Sequence, residues 1–330
     1  MVASPAQVGQ SSQLSFTATN SGTAAITIAS VAVADTKGTF KLVNPPGAAV
    51  TLNPNETLNF GIAFTPATTG FSTTTLQIDT LSFTLTGSGT APQSLPAFQF
   101  TGDSGKLTPL QQPSIGITLA APYPLPLTGV LTISINSAAF LPDASVQFQT
   151  GGKTVAFSIP ANTTQALFPT GSNQIALQAG TTAGNITVTP SFATATGLDI
   201  TPANPNTVTF TVPASAPQLL TIQVTNVTQV GFSVGITGLS TTHSLRTLIY
   251  QFTPTGNGKS SSYSIDVSAA ATLWYNSTAS QPFGGQFSVS VPFTIPNPST
   301  TALSTASLKS VSVTAVNAQG TSTAVSHTIQ

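Results

Sequence analysis

The sequence has no cysteine and very little charge: of 330 residues, 7 are Lys or Arg and 7 are Asp or Glu. Without Cys there is neither a disulfide framework nor a thiolate metal site, and the compartment stays open on this ground alone. So few charges cannot build the basic surface that a nucleic acid requires. Catalysis of most kinds needs several titratable groups in one cleft. Two His, one Glu and six Asp spread over the whole length offer little for that. The seven acids Asp35, Glu56, Asp79, Asp103, Asp143, Asp199 and Asp266 stand singly, without the spacing that gathers hard oxygen ligands around a metal ion. The reading is therefore of a protein that is not an enzyme and has no cofactor and no metal.

Long apolar runs are missing too. Thr, Ser and Gly interrupt the hydrophobic residues everywhere, so no stretch approaches the ~18 residues of a membrane helix, and no membrane span is expected. Met1–Pro5 lacks the basic and apolar regions of a signal peptide. The expectation is a removed signal followed by an added start Met, or a segment of a longer polypeptide. Strong helix formers such as Glu, Lys and Arg are scarce, which nearly rules out helices.

What is present is hydroxyl and alternation. Ser and Thr supply 95 residues, and 26 Gly and 25 Pro punctuate the chain. Apolar residues recur with period two at Leu14/Phe16, Ile26/Ile28, Val31/Val33, Leu58/Phe60/Ile62/Phe64 and Leu81/Phe83/Leu85. Each run puts its apolar set on one face of a strand and Thr, Ser, Asn or Gln on the other. Turn clusters separate the runs at Asn20-Ser21-Gly22, Asn44-Pro45-Pro46-Gly47, Asn53-Pro54-Asn55 and Thr68-Thr69-Gly70. Short strands at this spacing describe a sandwich. Pro66 closes one strand, and Gly87 and Gly89 are expected to ease a sharp exit from the last one.

The order Asn20-Ser21-Gly22-Thr23, Gly38-Thr39-Phe40, Leu52-Asn53-Pro54-Asn55-Glu56-Thr57-Leu58, Phe64-Thr65-Pro66 with Gly70, and Leu85-Thr86-Gly87-Ser88-Gly89-Thr90 resembles the ASH/choice-of-anchor D group of immunoglobulin-like domains. The resemblance covers the first ~90 residues, about a quarter of the chain. It implies a sandwich of seven to eight strands, used as a repeated, non-enzymatic spacer in surface proteins. Members usually open with a full first strand, whereas only Met1–Gln7 precede the Val8-Gly9 turn here.

Alternation resumes after the linker Ala91–Pro96 at Ile115/Ile117/Leu119, Leu131/Ile133/Ile135, Val146/Phe148, Val155/Phe157/Ile159, Ile175/Leu177, Ile186/Val188 and Val208/Phe210/Val212. Gly151-Gly152 signals a tight turn. A second linker, Pro213–Pro217, leads to runs at Leu220/Ile222/Val224, Phe232/Val234/Ile236, Tyr263/Ile265/Val267, Phe287/Val289/Val291/Phe293 and Val311/Val313, ending with Val325 and Ile329. Trp274-Tyr275 and Asn257-Gly258 are expected on a hairpin-rich edge. These two blocks resemble companion sandwiches of large exported bacterial proteins, which implies a secreted, cell-surface location. The predicted fold is all-β, three tandem immunoglobulin-like sandwiches over residues 1–92, 93–215 and 216–330.

His243 and Asp266 share a block with many serines, but no G-x-S-x-G elbow accompanies them, so a hydrolytic triad is outweighed by structural roles. His327 is expected to face solvent. A Lys-Asn crosslink in the first block would draw on Lys37 or Lys41 with Glu56, and exposed charges are the stronger reading. Sequons at Asn55, Asn162, Asn185, Asn226 and Asn276 are common in a chain this rich in Asn and Thr.

Two functional expectations follow. The first is an extracellular structural subunit of a surface filament, sheath or stalk, partnered by other copies of itself. Its candidate inter-subunit strands carry Val2, Ala3 and Val8 near one end, or Val325 and Ile329 within Ser322–Gln330. The second is an adhesin or carbohydrate-binding module in which Trp274, Tyr275 and Tyr263 contact a glycan, with Phe283 nearby. Against it stands Trp274 as a core anchor.

Overall fold

A computed structural model describes residues 1–137, 143–295, 302 and 304–329. The chain forms two compact units: residues 1–96 with 123–128 and 192–202, and residues 97–122 with 129–191 and 203–330.

The smaller unit holds a four-stranded sheet in the order Ala6–Gln7, Leu81–Thr90, Gly70–Ile78, Val31–Val33. A three-stranded sheet runs Ser12–Thr19, Thr57–Phe64, Phe40–Val43, and Ile26–Ile28 pairs with Val50–Leu52. The alternating residues of Thr57–Phe64 drive this arrangement. Phe60, Ile62 and Phe64 are 5%, 1% and 0% exposed, and they join Phe40, Leu76 and Leu85 in one core. Phe64 packs on Phe40 with ring centroids 4.8 Å apart. Gly87 and Gly89 lie inside the strand Leu81–Thr90 instead of turning its end. A β-carbon on Gly87 would sit 2.7 Å from the Phe64 ring, and one on Gly89 would sit 2.3 Å from the Thr68 carbonyl. Both glycines are there to admit close neighbours. The Tyr123 hydroxyl donates to the Gln93 carbonyl at 2.8 Å, and burial pushes its pKa up.

In the larger unit, one sheet runs Phe98–Gly102, Ser114–Leu119, Ile175–Gln178, Gln147–Phe148. A second sheet, most of it in this unit, runs Gly105–Lys106, Val208–Val212, Gly184–Thr194, Leu127–Ser137, Thr154–Ile159. Gly151 and Gly152 both take positive φ, 87° and 73°, and close a tight turn between Gln147–Phe148 and Thr154–Ile159. Those two strands then enter different sheets. The remaining residues of the unit build a three-stranded sheet, Gln218–Thr225, Gly231–Leu239, Gln286–Thr294, facing a sheet of Ser261–Asp266, Thr247–Pro254 and Leu308–Asn317, with Gly320–Thr321 and Val325–Thr328 both paired to Leu308–Asn317. Val234, Leu248, Tyr250, Val311, Val313 and Ala315 are fully buried between them. The fold is all-β, with sheets packed face to face as sandwiches.

One expectation fails here. Trp274 and Tyr275 do not lie on a hairpin but end an α-helix, Ser268–Tyr275, followed by a 3-10 turn, Thr278–Phe283. The cause is local: Ala269, Ala270 and Ala271 have the highest intrinsic helix propensity. Asp266 accepts from the Ser268 amide and hydroxyl at 2.8 and 2.6 Å and so turns the chain into the first helical turn.

Candidate functional site

The terminal segments are already occupied in their own sheets. Ala3 is 3% exposed and Val8 is fully buried, because Ala6–Gln7 pairs in parallel with Gly89–Thr90. Val2 remains 75% exposed and bridges to Thr86, while the Met1 ammonium donates to the Thr84 carbonyl at 2.8 Å. At the other end Val325–Thr328 lies antiparallel to Ser310–Val313, and the Ile329 amide donates to the Lys309 carbonyl at 2.9 Å. Val325 and Ile329 pack on the core beneath. Gln330, the last residue of that expected strand, lies outside the described residues. Neither segment is a loose donor strand, since leaving its place would uncover apolar surface and backbone groups.

The three aromatic candidates do not form one platform. Tyr275 is 8% exposed, donates its hydroxyl to the Gly285 carbonyl at 2.9 Å, and has its pKa raised by burial. Tyr263 is half exposed and edges against Phe252 and Phe293. Trp274 is half-buried, donates its indole N–H to the Gln286 carbonyl at 2.9 Å and sits 6.1 Å from Phe283. Its ring borders an uncharged groove of about 340 Å³ lined by Leu220, Thr237, Phe283, Gln286, Phe287 and Ser288.

Composition gave no warning of the cluster around Asp143. This carboxylate is 3% exposed. It accepts from the Ser145 amide and hydroxyl, from the Thr181 amide and hydroxyl, and from the Thr182 amide at 2.9 Å. Burial alone pushes the carboxyl pKa up, but the bonds from Ser145 and Thr181 outweigh it and hold the group below its ordinary value. The acid stays ionised because donors surround it.

Around that charge, residues 181–183 are fastened to residues 241, 243 and 285. The Thr182 hydroxyl meets His243 Nε2 at 2.9 Å, and the His243 ring stacks on Tyr275 at 4.8 Å with an 8° angle between planes. The Thr181 hydroxyl accepts from the Gly285 amide at 2.8 Å, and the Ala183 amide donates to the Thr241 carbonyl at 2.8 Å. Three glycines make room: a β-carbon on Gly284 would lie 2.4 Å from Thr181 Oγ1, one on Gly180 2.6 Å from Asp143 Oδ2, and one on Gly285 2.5 Å from the Thr181 carbonyl. The linker is pinned as well. The Ser215 amide donates to Thr241 Oγ1 at 3.0 Å, and Asn317 Nδ2 donates to the Ser215 carbonyl at 2.9 Å.

His243 takes a left-handed backbone, φ 51°, which its amide bond to the Ser240 carbonyl supports. Burial lowers its pKa, against the pull of the Asp143 charge. Asp266, the acid offered for a triad with it, instead accepts from the Ser268 hydroxyl and amide, which hold it below its usual pKa. Both carboxylate oxygens of Asp143 accept from protein donors. Among the described residues no group of three His, Cys, Asp or Glu is gathered to hold a metal ion, and no helix is long and apolar enough to cross a membrane.

The sequence signal that could have found this cluster is glycine next to hydroxyl: Gly180-Thr181-Thr182 and Phe283-Gly284-Gly285. Their meeting depends on pairings across more than a hundred residues, which local patterning does not show.

No family model and no curated protein matches the chain. Among solved structures, a two-domain fibronectin type III segment of chicken tenascin is similar at 11% identity and a TM-score of 0.31, covering 72% of this chain and 99% of the tenascin segment. The adhesin InvE of Yersinia pseudotuberculosis is similar at 14% identity and a TM-score of 0.28, covering 68% of this chain and 65% of the adhesin, slightly less than two thirds of its length.

Proposed function

We propose that this chain is a non-enzymatic extracellular structural protein, a subunit of a surface filament, sheath or stalk whose copies join through β-strand complementation. In this reading residues 1–92, 93–215 and 216–330 are three successive sandwiches. The observation that carries it is the use made of the buried ionisable groups. The donors to Asp143 and the partners of Tyr275 lie within their own blocks, while the Thr182 hydroxyl's contact with His243 and the Gly285 amide's bond to the Thr181 hydroxyl tie residues 93–215 to residues 216–330. A satisfied buried polar network makes such a joint resist bending. The lack of net charge supports the same reading, because identical copies then meet without like-sign repulsion. The test is electron microscopy of the full chain across a concentration series. Filaments or ordered multimers are expected, and dispersed monomers at every concentration would overturn the reading.

A second reading has its own observation. The groove beside Trp274 offers an indole face, the Phe283 ring and the polar groups of Thr237, Gln286 and Ser288, with no charge. An uncharged sugar ring has the matching chemistry, with apolar C–H faces and hydroxyl edges. Glycan-array binding that disappears in Trp274→Ala, with the variant still folded, is the result this reading requires.

A further inference from the structure

The edge of the strand Ser12–Thr19 is open along its whole length. All eight residues pair in unbroken register with Thr57–Phe64, and the Asn20 amide donates to the Glu56 carbonyl at 3.0 Å in the same ladder. Antiparallel ladders alternate, so Ser12, Leu14, Phe16 and Ala18 turn their backbone groups toward Thr57–Phe64. The N–H and C=O groups of Gln13, Ser15, Thr17 and Thr19 therefore point away from the sheet. Among the described residues these groups have no hydrogen-bond partner.

Edge strands are usually blunted by charge, proline or a bulge. Ser12–Thr19 has none of these. Two edges of the larger unit do: Gln218–Thr225 carries a register shift between Leu219 and Thr221, and Gln286–Thr294 carries Pro292 and gives its Gln286 carbonyl to Trp274. The inner face of Ser12–Thr19 is also incompletely covered. Leu14, Phe16 and Ala18 are only half-buried, whereas Phe60, Ile62 and Phe64 beside them are 5%, 1% and 0% exposed. A strand laid along this edge would cover the first set as well as meet the unpaired amides.

The strand's own sequence fits that place. We propose that Ser12–Thr19 pairs antiparallel with Ser12–Thr19 of a second copy, joining two three-stranded sheets into one of six strands. About a twofold axis at Phe16, the outward residues oppose one another as Gln13 with Thr19 and Ser15 with Thr17, pairs that exchange backbone hydrogen bonds. Phe16 then faces Phe16, and Leu14 faces Ala18, on the inner side. Aromatic and aliphatic pairs opposite one another stabilise a sheet, and no like charges meet because the strand has none. The contact rests on the assembly by strand pairing proposed above and names one site for it. Being self-complementary, it closes to a dimer, and growth beyond two copies needs a different surface.

The test uses the full-length protein and the absence of native cysteine. Sedimentation should show a concentration-dependent dimer, and Ser15→Lys combined with Thr17→Lys should raise its dissociation constant roughly tenfold or more by placing Lys against Lys. Circular dichroism and the melting temperature of the doubly substituted monomer should stay close to the parent, since both side chains are exposed and the one bond lost, from the Thr17 hydroxyl to Asn59 Oδ1, lies at the surface. Mixing Ser15→Cys chains with Thr17→Cys chains under oxidation should yield the mixed cross-link in preference to either like pair. Multimers that ignore the two lysines would overturn this contact while leaving strand-mediated assembly in force. A monomer at every concentration up to the millimolar range would overturn both.

Discussion

The cluster around Asp143 and the strand Ser12–Thr19 are opposites in how they treat backbone and side-chain polarity. At Asp143 a buried charge is met by five protein donors, and three glycines let the backbone close around it. Along Ser12–Thr19 four residues turn out backbone groups that find no partner among the described residues, and the apolar face below is half-covered. The first region is costly to disturb, since any lost partner strands a buried group. The second can gain a partner at little cost to the fold. A protein with 14 charged residues thus places one of them at an internal joint and leaves its longest regular edge strand of the smaller sheet without any.

The contrast can be broken most forcefully at the carboxylate. Asp143→Ala removes the acceptor for the amides of Thr181 and Thr182, and the expected loss is roughly 3–5 kcal/mol in urea denaturation. Asp143→Asn should cost less, because one oxygen still accepts. Gly284→Ala comes next. Its φ of 57° and the 2.4 Å approach to Thr181 Oγ1 leave no room for a methyl group, for a loss of about 2–4 kcal/mol. Calorimetry that finds either variant as stable as the parent would show the joint to be incidental.

Trp274→Ala removes a half-buried ring and its bond to Gln286, for about 2 kcal/mol. Acid should loosen the same joint in two stages. The folded pKa of His243 is lowered chiefly by burial, so stability is intact above its unfolded value of about 6.5 and falls as pH drops from there through the lower folded value. Asp143, also lowered, contributes fully above about 3.9, and that contribution is lost as pH falls through its folded pKa. The titratable groups facing the His243 ring are Asp143 and Tyr275. In His243→Gln the decline between pH 7 and pH 5, followed by chemical denaturation, should flatten while the more acidic step stays.

The smallest effect sharpens the contrast from within the core. Tyr250 is fully buried, its pKa is pushed up to about 12 by burial, and among the described residues its hydroxyl has no hydrogen-bond partner. Tyr250→Phe should therefore leave stability unchanged or raise it by about 1 kcal/mol, measured by thermal melting. A marked loss would mean that the hydroxyl is satisfied after all.

Strand positions were legible wherever apolar residues alternate, as in Leu58/Phe60/Ile62/Phe64 and Val208/Phe210/Val212, because burial of one face imposes period two. Gly70–Ile78 escaped notice. Four of its nine residues are Ser or Thr, its Phe71 is 89% exposed, and Leu76 is its one fully buried side chain, with Ile78 packed beside it. The helix Ser268–Tyr275 was missed because its signal is three alanines within a chain otherwise poor in helix formers. Of the site, the aromatic residues were found but not their partition: Tyr275 inside, Trp274 at a groove, Tyr263 on another sheet. Asp143 was visible only as one isolated acid among seven.

The sequence by itself determined the class of fold and the absence of a charged surface, since alternation and composition act residue by residue and need no partner to be read. Tertiary structure decided which acid became buried, which glycines guard it, and which edge stayed open. Those outcomes depend on strands far apart in the chain meeting in one register, and register is a property of pairs, not of any single segment.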